Sequence, residues 1–209
     1  MSETVNQVFR CYARKRPGFD VEAGALLNQL RGQLGVERLE GLSILHRYDV
    51  EGVSREVFEQ ARGIVFSEPQ VDDVFDEDDA TARPPEYTLA VEALPGQFDQ
   101  RADSAAQCIQ LMAGVERPRV ACATIYHFYA AQGALSQADR DKIKGYLINP
   151  VECREASLDK PDTLVREYAV PAMVETLDGF TELSGEELAA LLDKLGLAMD
   201  LDDLKFLQG

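Results

Sequence analysis

The chain matches itself. Pro17-Gly18 is answered by Pro95-Gly96 at an offset of 78, and Phe19-Asp20 by Phe98-Asp99 at 79. The same 79 aligns Gly35-Val36-Glu37-Arg38 with Gly114-Val115-Glu116-Arg117. An offset of 81 then lays Ser43-Ile44-Leu45-His46-Arg47-Tyr48 on Thr124-Ile125-Tyr126-His127-Phe128-Tyr129. Ser54 pairs with Ser136 and Pro69 with Pro150, and the only two histidines, His46 and His127, fall at one repeat position. An ordered series of this kind marks a duplicated unit, so the fold must accommodate two similar halves.

Each half reads as β-α-β-α-β. In the first, Gln7–Ala13 has the Val, Phe, Cys and Tyr content of a short strand. Pro17-Gly18 turns the chain, and Asp20 is placed to cap a helix from Val21 to about Leu34, with Ala23, Leu26, Leu27, Leu30 and Leu34 at helical spacing and Gly35 as its stop. Leu42, Ile44, His46, Tyr48 and Val50 alternate along one face of a strand, and Ser54 caps a helix carrying Val57, Phe58, Ala61 and Val65. The second half repeats this as strand Thr88–Leu94, helix Arg101–Met112, strand Val120–Tyr129 and helix Ser136–Leu147. After residue 157 the pattern breaks. Ser184-Gly185-Glu186-Glu187 is a capping box opening a helix to about Leu195, and Asp200 caps a last short one. The expected fold class is α+β: two tandem repeats packed as a pseudo-dimer, at 1–75 and 87–157, an acidic connector at 76–86, and a mainly helical linker at 158–209.

The net charge of −16 is unevenly spread. Residues 1–70 and 87–156 carry −1 each, whereas 71–86 carry −6 and 157–209 carry −8. The stretch from Asp72 to Pro85, with Asp76-Glu77-Asp78-Asp79 and Pro84-Pro85, reads as a solvated connector. The net charge of −16 argues against nucleic acid and an anionic bilayer as partners, since phosphate contacts need clustered Lys and Arg. No 18-residue apolar run is present, and Met1–Asn6 lacks the basic and apolar segments of a signal peptide. Cys11, Cys108, Cys122 and Cys153 are scattered without a CxxC pair, which fits reduced thiols in a cytoplasm and small buried hydrophobes.

Catalytic and cofactor signatures are sparse. Neither GxxxxGK[ST] nor GxGxxG occurs, no nucleophile elbow accompanies the histidines, and the dispersed cysteines give no zinc spacing. No catalytic, cofactor-binding or metal residue is assigned. His46 and His127 sit mid-strand among Ile and Tyr and read as structural histidines paired with a backbone group or a Tyr. One segment exceeds what helix capping needs: around Asp99, the side chains of Gln97, Gln100, Arg101 and Asp103 crowd one turn, where the first half has plainer residues. It is either a self-satisfied network in which Arg101 bridges Asp103 or Asp99, or a docking and ligand-contact surface present in one half only.

This segment, Leu94-Pro95-Gly96-Gln97-Phe98-Asp99-Gln100-Arg101-Ala102-Asp103-Ser104, resembles the N-terminal region of large (PurL-type) phosphoribosylformylglycinamidine synthase, the glutamine-dependent ligase of purine biosynthesis. Tyr48–Gly52, Val65–Pro69, Ile148–Ser157, Gly179–Leu183 and Gly196–Asp200 are similar to it as well, so the resemblance runs along nearly the whole chain. The family's reaction, by resemblance, phosphorylates the amide oxygen of formylglycinamide ribonucleotide (FGAR) with ATP and Mg, and ammonia from glutamine then displaces the phosphate to give the amidine (FGAM). The resemblance implies a PurS-like N-terminal domain, similar to a dimer of the small PurS subunit of split enzymes, followed by a linker. At 209 residues there is no room for the synthetase core or the glutaminase domain. The chain is therefore expected to be a non-catalytic fragment whose partners are those two parts, with a tendency to self-associate when isolated. A free-standing duplicated regulatory module that binds a small ligand between its halves, or a partner protein, is the alternative, and its sign would be a polar pocket at the pseudo-twofold.

Overall fold

The computed structural model describes residues 7–76, 84–165, 174 and 176–209. It divides into two compact units, Met1–Arg166 and Glu167–Gly209. The first is α+β, with a six-stranded, wholly antiparallel sheet. Its elements run β1 (Phe9–Lys15), α1 (Val21–Gly32), β2 (Gly41–Glu51), α2 (Arg55–Ile64), β3 (Asp72–Phe75), β4 (Tyr87–Ala93), α3 (Gln100–Ala113), β5 (Arg119–Tyr129), α4 (Gln137–Leu147) and β6 (Cys153–Glu155). The strands lie in the order β3-β1-β2-β5-β4-β6.

Local chemistry explains the element starts. Each first strand turns into its helix through a Pro-Gly pair. Phe19 N bonds Arg16 O at 2.9 Å, Gln97 N bonds Leu94 O at 3.0 Å, and Gly18 and Gly96 take φ of 91° and 89°. That is the type II geometry, which needs Gly at its second central position. Ser54, Asp99 and Ser136 accept from backbone N–H groups of α2, α3 and α4, and Asp139 completes a capping box with Ser136. Asp20 occupies the cap position of α1, but its carboxylate accepts from Gly18 N at 3.1 Å instead. That helix ends at Gly32, short of the expected Leu34.

Two cores lie on one face of the sheet, and both halves of the chain build each of them. Phe58 and Ala61 of α2 pack with Ala102, Ala105 and Ile109 of α3 over Cys11, Tyr48 and Val50. Ala23 and Leu30 of α1 pack with Ile143 of α4 over Leu42, Ile44, Leu89 and Phe128. The opposite face carries a small apolar patch, Leu45, Ala90, Ala123, Ile125 and Ala156, and beside it four buried charges.

Those charges fasten a strap. Arg10, Arg47, Asp49 and Glu51 are 2–5% exposed. Arg10 Nε and Nη2 donate to the two oxygens of Asp49 at 2.6 and 2.9 Å, a fork-on-fork pair. Arg47 Nε lies 3.3 Å from Asp49 Oδ2, within ion-pair range. The guanidinium groups also reach residues 157–159: Arg47 Nη1 donates to Ser157 O at 2.6 Å, Arg10 Nη1 to Leu158 O at 2.7 Å, and Arg10 Nη2 also to Asp159 O at 3.1 Å. Glu51 accepts from Thr163 Oγ1 and Leu164 N, both at 2.9 Å. Burial opposes the Arg10 charge, and Asp49 overcomes it, holding the guanidinium above its ordinary range. For Arg47, burial wins and the pKa falls.

The acidic stretch departs from the expected connector at its start. Asp72–Phe75 is an edge strand, because β1 presents cations to it: Lys15 Nζ lies 2.9 Å from Asp72 and Arg16 Nε 2.8 Å from Asp73, while Val74 packs on the core. Most of the expected connector, residues 77–83, lies outside the described residues.

The second unit holds a 3-10 turn at Phe180–Glu182, then α5 (Gly185–Leu195) and α6 (Leu201–Gln208). Ser184 with Glu187, and Asp200 with Asp203, form capping boxes. Leu188 and Leu204 are buried at 1% and 3%, and the Gln208 amide donates to Phe180 O and Leu183 O.

Candidate functional site

The sheet register decides where the histidines point. Directly opposed residues of an antiparallel pair share a face. His46 opposes Thr124 and shares the helix-covered face with Ile44 and Tyr48, whereas His127 opposes Ser43 and shares the other face with Ile125. The two therefore do not occupy one repeat position. The similarity of Ser43–Tyr48 to Thr124–Tyr129 at offset 81 is overturned by the pairing, because an odd shift turns every side chain to the opposite face. Strand ends align at 78 instead: Gly41 with Arg119 and Glu51 with Tyr129. At that offset Tyr48 corresponds to Tyr126, His46 to Thr124, and Asp49 to His127.

Both imidazoles are packed into the sheet, and the Nδ1 atom of each is buried without a hydrogen-bond partner. The expected backbone or Tyr partner is thus absent at Nδ1, and His127 meets Tyr129 edge-on at 6.5 Å between centroids. Burial drives the His46 pKa down to about 4, and Arg101 and Lys15 lower it further against the opposing pull of Asp72. Burial, then Arg14, lowers that of His127. Both are neutral near pH 7.

Above His46 a groove of about 670 Å³ opens. Ile44, His46 and Tyr48 contribute from β2, Glu22 from α1, Glu68 from the turn after α2, and Arg101 from α3. The crowded segment at the start of α3 thus reaches this groove through one residue. Arg101 Nη1 donates to the Tyr48 hydroxyl at 3.2 Å rather than bridging Asp103 or Asp99, as the first of the two readings of this segment had it. Residues two apart on a helix point to different sides, which is why Asp103 turns away. It pairs with Arg117 and accepts from Gln107 at 2.9 Å. Asp99 is occupied as the cap, accepting from Ala102 N at 3.0 Å. Gln97 Nε2 donates to Val151 O at 3.1 Å, Gln100 stands exposed at the first helical position, and neighbouring Phe98 is 74% exposed. Of the five, only Arg101 joins the groove; the rest lie around the helix start.

Sequence reasoning missed the groove and the strap for one reason. Both are assembled by residues far apart in sequence, Arg101 with Tyr48 and Arg10 with Leu158. The signal available was the pair of charges Arg47 and Asp49 on one strand face at alternate positions.

The four thiols are free. Cys11 and Cys122 are buried and their pKa values raised by burial, the former to about 12, which keeps them protonated and unreactive. Cys108 is exposed, contrary to the expectation of small buried hydrophobes, because it faces away from the core side of α3. Among the described residues, no group of three His, Cys, Asp or Glu side chains is placed to hold a metal ion, and no helix is long and apolar enough to cross a membrane. No protein-family model and no curated protein matches the chain.

Proposed function

We propose that this chain is a PurS-like pseudo-dimer with its linker: the non-catalytic structural and interaction region of a phosphoribosylformylglycinamidine synthase, which holds the synthetase and glutaminase parts in register during ATP- and glutamine-dependent conversion of FGAR to FGAM. The observation that carries the reading is the pairing of β2 with β5. Numbers of paired residues add to 59 for β1–β2 and to 215 for β4–β5, a difference of twice 78. The same offset of 78 carries β1, Phe9–Lys15, onto β4, Tyr87–Ala93, and β2, Gly41–Glu51, onto β5, Arg119–Tyr129, and the two long strands pair with each other. Two similar β-α-β-α-β units joined edge to edge would have this register, as would a homodimer of half-size chains. The motifs quoted along the chain support the family assignment. The two cores each take helices from both halves and so join them into one unit, which suits holding partners rather than catalysis.

The experiment is reconstitution. The 209-residue protein is mixed with a synthetase core and a glutaminase of this family that lack their own N-terminal region. Co-elution, with recovery of glutamine-dependent but not ammonia-dependent turnover, is the expected result. No association, or amidine formation by this chain alone, would refute the assignment.

A further inference from the structure

Arginines in this chain rarely want for a carboxylate, since acids outnumber bases by 37 to 21. Arg62, Arg117, Arg140 and Arg154 are each ion-paired. Arg101 is different. Its hydrogen-bond partner among the described residues is a neutral group, the Tyr48 hydroxyl at 3.2 Å, and its nearest acids in sequence are occupied elsewhere, Asp99 as a cap and Asp103 with Arg117. A guanidinium only donates, so the hydroxyl that accepts from it keeps its own proton to give. Among the described residues no acceptor takes that proton. Burial raises the Tyr48 pKa most, against the pull of Arg101, which keeps the hydroxyl protonated, and the ring is fixed by stacking on Phe66 at 4.5 Å between centroids. Two unsatisfied donors, one of them cationic, thus stand side by side at the wall of the groove.

The other charges of the lining limit what these donors can take. Lys15 Nζ is paired with Asp72 at 2.9 Å, and Arg14 opposes Leu45 in the register and so turns to the other face of the sheet. His46 is neutral near pH 7. Asp20 accepts from Gly18 N, and Glu22 and Glu68 are exposed carboxylates. One open positive charge among these acids suits a single negative charge, whereas a dianion such as phosphate would meet more repulsion than attraction. The rest of the lining is apolar. Ile44 and Phe66 are buried, and Phe19 and Ile64 stand 54% and 70% exposed. A volume of about 670 Å³ lies within the range of small-molecule sites.

We propose that this groove binds a small monocarboxylic acid, its carboxylate on Arg101 and the Tyr48 hydroxyl and its apolar body along Ile44, Phe66, Ile64 and Phe19. A carboxylate accepts from both donors at once, and charge assistance makes such bonds the strong ones. The apolar side chains that the fold leaves exposed then gain cover from water. The inference goes beyond the scaffold reading and needs only the groove, so binding on the isolated chain and reconstitution with the parent enzyme's parts can fail independently.

The test titrates the full chain by calorimetry with butyrate and hexanoate, and with hexanamide, hexylamine and inorganic phosphate beside them. Hexanoate should bind more tightly than butyrate, by about twofold to fourfold per methylene. Hexanamide, hexylamine and phosphate should each bind at least tenfold more weakly than hexanoate. Arg101→Gln should cost hexanoate at least tenfold and Tyr48→Phe at least threefold, while Arg55→Gln, an exposed charge outside the lining, should bind as the parent does. Arg101 is exposed, so its variant should keep the parent Tm without ligand, and phenylalanine at 48 keeps the ring on Phe66. The proposal is overturned if neither carboxylate binds, if hexanamide or phosphate binds as tightly as hexanoate, if Arg101→Gln or Tyr48→Phe leaves hexanoate affinity unchanged, or if Arg55→Gln loses as much as Arg101→Gln.

Discussion

The two halves of the sheet share a frame and differ in what they bury. In the first half, the face away from the helices carries Arg10, Arg47, Asp49 and Glu51, all at most 5% exposed; Arg10, Arg47 and Glu51 bond residues 157–164, and Asp49 pairs with both arginines. At the offset of 78 the second half has Thr88, Ile125, His127 and Tyr129 in those places, and not one of them is a permanent charge. The helix-covered faces differ far less: Leu30 and Ile109, one in each half, are 0% and 1% exposed. Apolar packing specifies the frame and tolerates exchange of one hydrophobe for another. A buried charge cluster needs every partner in place, so it can exist only where a segment of chain arrives to complete it.

The largest separation between the halves should come from removing the centre of the cluster. Asp49→Ala leaves two buried guanidinium groups uncompensated and should cost about 3–5 kcal/mol. His127→Ala at the corresponding place should cost about 1 kcal/mol, the usual size for a point substitution. Denaturant unfolding measures both, and hydrogen exchange should show residues 157–165 opening in the first variant only. Equal costs would remove the contrast. Leu30→Ala and Ile109→Ala test the opposite point. Each should lose about 2–5 kcal/mol, and similar values would show that the helix-covered faces are equivalent in energy as well as in placement.

The smallest effect is acid sensitivity. The folded-state pKa of His46 is near 4 against an ordinary 6.5, so the unfolded chain takes up the proton first as pH falls. Stability from this group is therefore complete above pH 6.5 and is lost progressively between 6.5 and about 4, by at most about 3 kcal/mol. His127 is shifted in the same direction. Unfolding curves between pH 7 and pH 4 should flatten in His46→Gln more than in His127→Gln. The reverse order would mean that the helix-covered face is the wetter of the two.

Helix starts were readable in the sequence because their cause is local: Ser54, Asp99, Ser136, Ser184 and Asp200 each satisfy N–H groups within three residues. Strands β1, β2, β4 and β5 were readable from their apolar alternation. Strand β3 was not, since Asp72 and Asp73 look solvated until Lys15 and Arg16 are placed beside them. The matched Ile-x-His motifs misled by three residues in the central strands. Composition is nearly indifferent to such a slip over Ile44-Leu45 and Ile125-Tyr126, which put apolar or aromatic side chains on both faces; side-chain direction is not. At the candidate site, the crowding of polar residues near Asp99 was visible, but only pairing in space could single out Arg101 from its four neighbours.

The eleven-residue pairing of β2 with β5 has a consequence for mass action. Two separate half-chains meeting along such an edge would part on dilution, and any substitution in one would appear in both. Within one polypeptide the pairing is unimolecular, so the sheet's stability is independent of protein concentration. Each strand can also change without its counterpart. The one-sided charge cluster is an arrangement that an obligate pair of identical chains could not encode.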